Sequence, residues 1–540
     1  MPEDSTLTDE EREQRRNEER ALIIKEIDTA IGVAKKAFVK PANEAIAKLS
    51  KKGKQWSYPL AFALLENMKA QQVAQEPNFI ADPRNDDGEM IKPVIEKLLS
   101  HYAEELNMRQ MAEEASDWVG WTGLAVAKTG YTVLLDDTVR PFAMSFDPRN
   151  FFTDTYCTKT DLSDARYCGD VQVMPKRDAL NDPANHPDKI NDIPVNKVGA
   201  DYTQGEDDRF ERVTELPESY GLLTLRELHI RNRETREVEV CGHAEGQEDF
   251  YRDLAPLPKP FKRFNYFPLV FFPVPGMFYG QSILVKVEAT CNQLDKAMIR
   301  IQERWEKSPE KFIVNEQNLG KAGLDAVKNS SLFNFVPVRD GSARDAVDFL
   351  HGAIIYSDEM SYLNYLVELF QWISGMTYMQ LGSGSSRTAT EAGLVGQSAD
   401  MRSSRRMSVM ERWMSAIGKQ LWIICRYNRK FLPVKEILGE KLTEQWEKYE
   451  KKQSERERMA NDTDITVRMS MPINTAAIYR RDKNLEFLRR IADPGIQQAL
   501  AAQGKILDVD AILGGIAHDN GYNKPITIDM PKSAAVEGEA

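Results

Sequence analysis

Seven apolar residues, Leu284, Val287, Cys291, Leu294, Met298, Ile301 and Trp305, recur at alternating steps of three and four along one stretch of this chain. A seam held over three heptads predicts a helix that packs lengthwise against a second helix or against copies of itself. One buried stripe inside a monomer satisfies the same spacing. Ser308-Pro309 ends the pattern, because the residue before a proline is pushed out of the α region. Leu363, Leu366, Phe370 and Ile373 then share one face of a second helix over Ser357–Gly375. Between the two, Phe312–Val314 and Leu332–Val336 read as short strands, with Gly320 and Gly323 near a small helix. The pattern describes a helix out, a small β-containing tip and a helix back.

A loop of Gly382, Ser383, Gly384, Ser385, Ser386 and Arg387 follows, with no side chain able to anchor a core. Thr388-Ala389-Thr390-Glu391 has the spacing of a capping box at a helix start. The helical pattern beyond it runs for roughly forty residues, about 60 Å at the α-helical rise. Arg402, Arg405 and Arg406, with Ser403 and Ser404, interrupt it between the apolar runs Leu394–Val395 and Val409–Ile424. That stretch suits a kink whose arginines meet a neighbouring subunit or a nucleic acid, and it suits equally a solvated face of the helix. Met410, Trp413, Ile417, Leu421 and Ile424 restore a buried stripe. A soft loop between long helices is poor catalytic equipment and a suitable lining for a passage.

The remainder is mixed in texture. Residues 9–40, 58–75 and 91–130 read as helices, and Tyr131–Leu135 and Phe142–Phe146 as strands. Leu222–Arg231 and Glu237–Cys241 form a candidate hairpin, and the polar stretch 175–218 reads as a surface excursion. Lys51-Lys52-Gly53-Lys54 suits either a phosphate contact or a solvated turn. Residues 436–458 read as a solvent-facing charged helix, Ile465–Met469 as a strand, and Ala476–Arg490 and Pro494–Gly515 as helices. At 540 residues the chain predicts about three or four domain-sized units. Its fold class is α+β, mainly α.

Net charge is −12, which argues against an outer surface that grips nucleic acid by bulk charge neutralisation. Five scattered cysteines without a Cys-x-x-Cys pair predict free thiols in a reducing compartment. The most apolar run, Tyr266–Gly280, contains three prolines and falls short of a membrane span. The N-terminus is charged from its start, unlike a secretory signal, so a soluble protein without a membrane partner is expected. No phosphate-cradling Gly-x-x-x-x-Gly-Lys-[Ser/Thr], Gly-x-Ser-x-Gly elbow or His-Glu-x-x-His occurs. Pro187-Asp188 lacks the acidic-x-Lys continuation of a restriction-type nuclease. His229 and His243 can meet across the proposed hairpin or stand as ordinary surface residues. The expectation is a non-enzyme with no catalytic residue, metal or cofactor.

Gly280-Gln281-Ser282 before a long Asn/Gln-bearing helix, the Thr388–Ala392 helix start and the Gly-rich loop upstream of it occur in an order that resembles the portal proteins of tailed bacteriophages, in a podovirus-like short form. The resemblance implies a wing from residues 1–265 and stem helices at 266–307 and 353–378. It places a clip at 308–352 and a channel loop at 379–390. A long kinked wing helix with its return strand falls at 391–472, and a helical crown and tail at 473–540. It implies a dodecameric ring at one capsid vertex of the virion, assembled in the host cytoplasm, through which double-stranded DNA is packaged and ejected. The implied partners are the terminase large subunit, a tail adaptor, and the major capsid and scaffolding proteins. Gly382–Arg387 would face the DNA, and the Leu284–Trp305 seam would pack the stem. A packaging-associated nuclease or terminase subunit, and a virion scaffold without a channel, are the alternatives.

Overall fold

The computed structural model describes most of residues 9–468. Residues 1–8, 45–59, 135–137, 196–220, 308–310, most of 315–346, 351–356, 377–388, 453–462 and 469–540 lie outside the description, as do a few shorter positions. The expected strand at Leu332–Val336, the basic run at Lys51–Lys54 and both C-terminal helices therefore fall outside the described residues. What is described is mixed helix and strand, with helix the larger share.

The chain opens with α1 (Asp9–Ala34), α2 (Leu60–Gln72), β1 (Asn78–Pro83), α3 (Asp86–Glu105), α4 (Met108–Thr122), β2 (Ala125–Val133) and β3 (Val139–Phe146). The single helix expected over 91–130 is thus two helices and the start of a strand. Asn107, at φ 48°, takes the left-handed conformation and breaks the first helix from the second, a position its short polar side chain tolerates. Gly123, at φ 92°, closes α4 by donating its amide to Val119 O at 2.9 Å.

There follow β4 (Phe151–Thr153), β5 (Tyr167–Pro175), α5 (Lys176–Asn181), α6 (Pro187–Asn191), β6 (Leu222–Arg231), β7 (Val238–Ala244), β8 (Phe250–Pro256) and β9 (Tyr266–Leu269). β4 to β8 form a five-stranded antiparallel sheet in sequence order, and β2 is central in a three-stranded sheet between β3 and β9. The hairpin expected at Leu222–Cys241 is present as β6 and β7. The excursion expected at 175–218 is corrected in part: Ala179, Ile190 and Ile193 are buried against Leu223, Leu225 and Tyr251. The short helices α5 and α6 are therefore packed elements. α1 covers the five-stranded sheet with Ile23, Ile27, Ala30 and Ile31, a face with the three- and four-residue spacing of an amphipathic helix.

Next come α7 (Ile283–Lys307), β10 (Lys311–Val314), β11 (Val347–Leu350) and α8 (Ser357–Ser374). α7 packs along α8, and β10 pairs with β11 in antiparallel register, Lys311 opposite Leu350. Arg304 near the end of α7 bonds Glu359 at the start of α8 at 2.6 Å, so the two helices run antiparallel. The helix–tip–helix pattern is realised, with Val347–Leu350 as the partner strand that sequence reading missed.

The last described elements are α9 (Ala389–Tyr427), α10 (Val434–Lys452) and β12 (Thr463–Arg468). α9 runs without interruption through residues 402–406, so the expected break there is corrected: serine and arginine cost a helix only tenths of a kcal/mol each. Its stripe Met410, Trp413, Ile417, Leu421 and Ile424 is buried, as expected, and Met414 is buried beside it. α10 is corrected too. It packs on α3 and buries Trp446 and Tyr449 almost completely, so only one side is solvated. β12 pairs antiparallel with β1, Arg468 opposite Asn78, and returns the C-terminal part of the chain to the N-terminal core.

The main core gathers α2, α3, α4, α9 and α10 with the near ends of α7 and α8. Phe370 of α8 is fully buried there while Tyr365, on the opposite side of the same helix, is 57 % exposed. Replacing Phe370 with Ala is expected to cost about 3–5 kcal/mol. Tyr365→Ala is expected to shift stability by less than about 0.5 kcal/mol. Urea unfolding at low protein concentration measures both.

Candidate functional site: the helical stalk

The stalk is anchored where Gly-x-Ser meets the end of α4. Ser282 is buried, donates its hydroxyl to Gly120 O at 2.8 Å and accepts the Leu284 amide at 3.0 Å. It caps α7 and ties that helix to α4 at once. Gly123 and Gly280 lie back to back: a Cβ on Gly123 would stand 2.6 Å from Gly280 O, and one on Gly280 would stand 2.5 Å from Gly123 O. No larger residue fits either position without moving backbone. The Gly280-Gln281-Ser282 motif is thus a structural joint.

From that joint the seam changes character along α7. Leu284, Val287, Cys291 and Leu294 are buried, whereas Met298 and Ile301 are only half-buried; the Trp305 side chain lies outside the described residues. On α8, Leu363, Leu366 and Phe370 are buried and Ile373 is half-buried. Along α7 the seam is therefore buried from Leu284 to Leu294 and only half-buried at Met298 and Ile301, while α8 keeps Leu363 buried near the tip.

A second stripe was missed by sequence reading. Tyr362, Tyr365, Leu369 and Trp372 follow steps of three, four and three along α8, the same heptad signal as the seam. Tyr365 stands free of the core, and Trp372 is 75 % exposed. The outward side of α7 is polar and in part cationic, with Asn292, Gln293, Lys296 and Arg300 exposed. An aromatic face on one helix and cations on the other are chemically complementary, because a cation over an aromatic ring is attracted to its negative face.

The other expected site residues are distributed as follows. Gly382, Ser383, Gly384, Ser385, Ser386 and Arg387 lie outside the described residues, as does the side chain of Arg402. Arg405 is exposed. Arg406 is half-buried and donates to Gln71 Oε1 at 3.4 Å, so it serves a contact between α9 and α2 within the chain. Among the described residues no group of acidic, histidine or cysteine side chains is arranged to hold a metal ion, and no helix is long and apolar enough to cross a membrane. All five cysteines are buried free thiols, as expected.

The densest set of titratable side chains is enclosed between the two sheets. Lys128 of β2 reaches Asp170 at 3.0 Å and Glu227 at 2.9 Å; His229 Nε2 lies 2.8 Å from Glu227, and Tyr266 donates to Asp170. The surface histidines expected at 229 and 243 are corrected: both are buried. They do not meet, since β6 and β7 pair His229 with Val240 and Arg226 with His243. Burial opposes ionisation of Glu227, but the His229 bond and the Lys128 charge outweigh it and hold the carboxyl well below its usual range. Burial opposes the charge on Lys128 as well, and Asp170 and Glu227 overcome it and keep the amine protonated. Burial, reinforced by the charges of Asp170 and Glu227, keeps the Tyr266 phenol a hydrogen-bond donor. The cluster clasps two sheets rather than facing a substrate.

Removing one member of such a cluster leaves buried charge uncompensated, so Lys128→Met is expected to cost about 3–5 kcal/mol by urea unfolding at neutral pH. A carboxyl whose folded pKa is depressed contributes stability that is complete above its unfolded value, about 4.3 for glutamate, and is lost as pH falls through the folded one. Wild-type stability should therefore fall as pH drops below about 4.5, and Lys128→Met should show a shallower fall over the same window. No family model and no curated protein matches this chain.

Proposed function

We propose that this chain is the subunit of a phage portal: a dodecameric ring at one capsid vertex through which double-stranded DNA is packaged and later ejected. The observation that carries the reading is the stalk. It leaves the core as an antiparallel helix pair with a β-ribbon tip, its inner seam only half-buried at Met298 and Ile301 of α7 and its outer aromatic stripe exposed. Tyr362, Tyr365 and Trp372 expose much of their area to water in a single chain, whereas a ring buries that area once per subunit, against the polar side of the next α7. In this reading the stalk is the stem and its β tip the clip, which docks the terminase motor and then the tail adaptor. The sheets, α9 and β12 make the wing, held by capsid and scaffolding proteins, and residues 473–540 form the crown. The loop Gly382–Arg387 faces the DNA, and Arg387, repeated around the ring, gives brief phosphate contacts in an acidic channel where DNA slides rather than sticks. The subunit is not an enzyme and needs no cofactor.

Negative-stain electron microscopy with native mass measurement tests the ring. The expected result is particles with a central hole and a mass that is a multiple of 61.5 kDa. Tyr365→Glu with Trp372→Glu should yield a folded protein that no longer forms rings. A wild type that stays monomeric in the presence of scaffold and capsid proteins, or rings indifferent to the double variant, would overturn the reading. Within it, Arg387→Ala should lower DNA packaging and retention; unchanged values remove that residue's role.

A further inference from the structure

The segment that joins α9 to α10, Arg426-Tyr427-Asn428-Arg429-Lys430-Phe431, interleaves cations with aromatics, and Lys435 follows a turn later. Cations are expected at the end of a long helix, where the last carbonyls carry partial negative charge. Arg426, in the last turn of α9, meets that expectation. Its Nε lies 3.1 Å from Glu450 Oε1, and its guanidinium covers the Tyr449 ring at 5.8 Å. Arg429, Lys430 and Lys435 stand beyond that turn, and the helix end does not account for them.

These three residues line a cleft of about 360 Å³ together with Pro433, Thr443 and Trp446. The Arg429 guanidinium lies 5.7 Å from the Trp446 ring centre, and its Nη1 is buried with no hydrogen-bond acceptor among the described residues. A buried charged donor without an acceptor is costly, so Arg429 Nη1 as placed lacks an anionic or strongly accepting partner. Lys430 and Lys435 are exposed. Phe431, beside Lys430 in sequence and outside the cleft lining, is 51 % exposed. Glu436 and Glu447 also line the cleft, so three cations face two carboxylates, a balance suited to a reversible hold. In a chain of net charge −12 this is a local excess of positive charge.

We propose that this cleft binds a nucleic-acid strand. A backbone phosphate accepts from Arg429 Nη1 and is flanked by Lys430 and Lys435, while Phe431 stacks on a neighbouring base. An acidic peptide would use the same cations but would leave the exposed phenylalanine idle, whereas cations next to an aromatic ring are the pairing that tracks single strands. The site lies outside the stalk and requires neither a ring nor a channel, so it stands or falls separately from the portal reading.

The test is fluorescence anisotropy with the full-length protein and two labelled probes, an oligo-dT of about 20 nucleotides, long enough to fill a single-strand site, and a duplex of the same length. Lys430→Glu with Lys435→Glu should weaken both probes at least about tenfold and flatten the log–log salt dependence by roughly 1.5, since each phosphate contact contributes somewhat under one. Phe431→Ala should weaken the single strand about tenfold and leave the duplex unchanged. Lys441→Glu with Lys448→Glu, a matched charge reversal at exposed positions of α10 outside the cleft, should change neither probe by more than its effect on net charge. Equal losses in the two double variants would overturn the proposal. So would poly-glutamate binding as tightly as the oligonucleotide without regard to Phe431. Ring formation, followed by microscopy on the same variants, should be unaltered in every case.

Discussion

The contact of Gly123 with Gly280, locked by the two hydrogen bonds of Ser282, sets the direction in which the stalk leaves the body of the protein. Backbone lies against backbone there, and α7 begins within hydrogen-bond reach of the end of α4. Everything beyond the joint follows from that heading. The near halves of α7 and α8 enter the main core with α2, α4 and α9, and the far halves extend past it. Burial of the seam along α7 falls from Leu294 to Met298 and Ile301 without any change in the heptad pattern. The outer stripe of α8 faces away from that core and stays exposed at Tyr362, Tyr365 and Trp372.

Two arrangements of charge divide the rest of the protein. Between the sheets, Lys128, Asp170, Glu227, His229 and Tyr266 are enclosed and reciprocally bonded. Buried ions are tolerated only when paired in this way, and the pairing fixes the three-stranded sheet against the five-stranded one. A second such link joins α1 to that sheet, where buried Arg226 meets Asp28 at 2.7 Å. In the cleft after α9, Arg429 presents a buried Nη1 donor without an acceptor among the described residues. The bonded charges between the sheets fasten them, and the open donor in the cleft is a place where an outside acceptor gains from binding.

Local periodicity was legible for the long helices because it depends only on neighbours three and four residues apart. The stalk seam, the stripe Met410–Ile424 and the strand at residues 465–468 are where the spacing put them. The helix break at Asn107 was not legible, since an asparagine in the left-handed region carries no distinctive pattern around it. The arginines at 402–406 misled for a related reason: polar residues within a helix mark a solvated face as readily as a break. The outer stripe Tyr362–Trp372 was readable in principle and was masked by the stronger buried face beside it.

The sequence by itself determined the mixed, mainly helical class, the helix–tip–helix stalk and the acidic, thiol-containing character of the chain. All of these are properties of composition or of short-range spacing. Only the tertiary structure decided that His229 is buried beside Glu227, that Lys128 answers carboxylates 42 and 99 residues away, that Val347–Leu350 completes the tip, and that Ser282 is a joint rather than a reactive group. Those pairings depend on strand register and on which faces meet. Register is fixed by the sum of many weak contacts between distant segments, and no short window of sequence contains that sum.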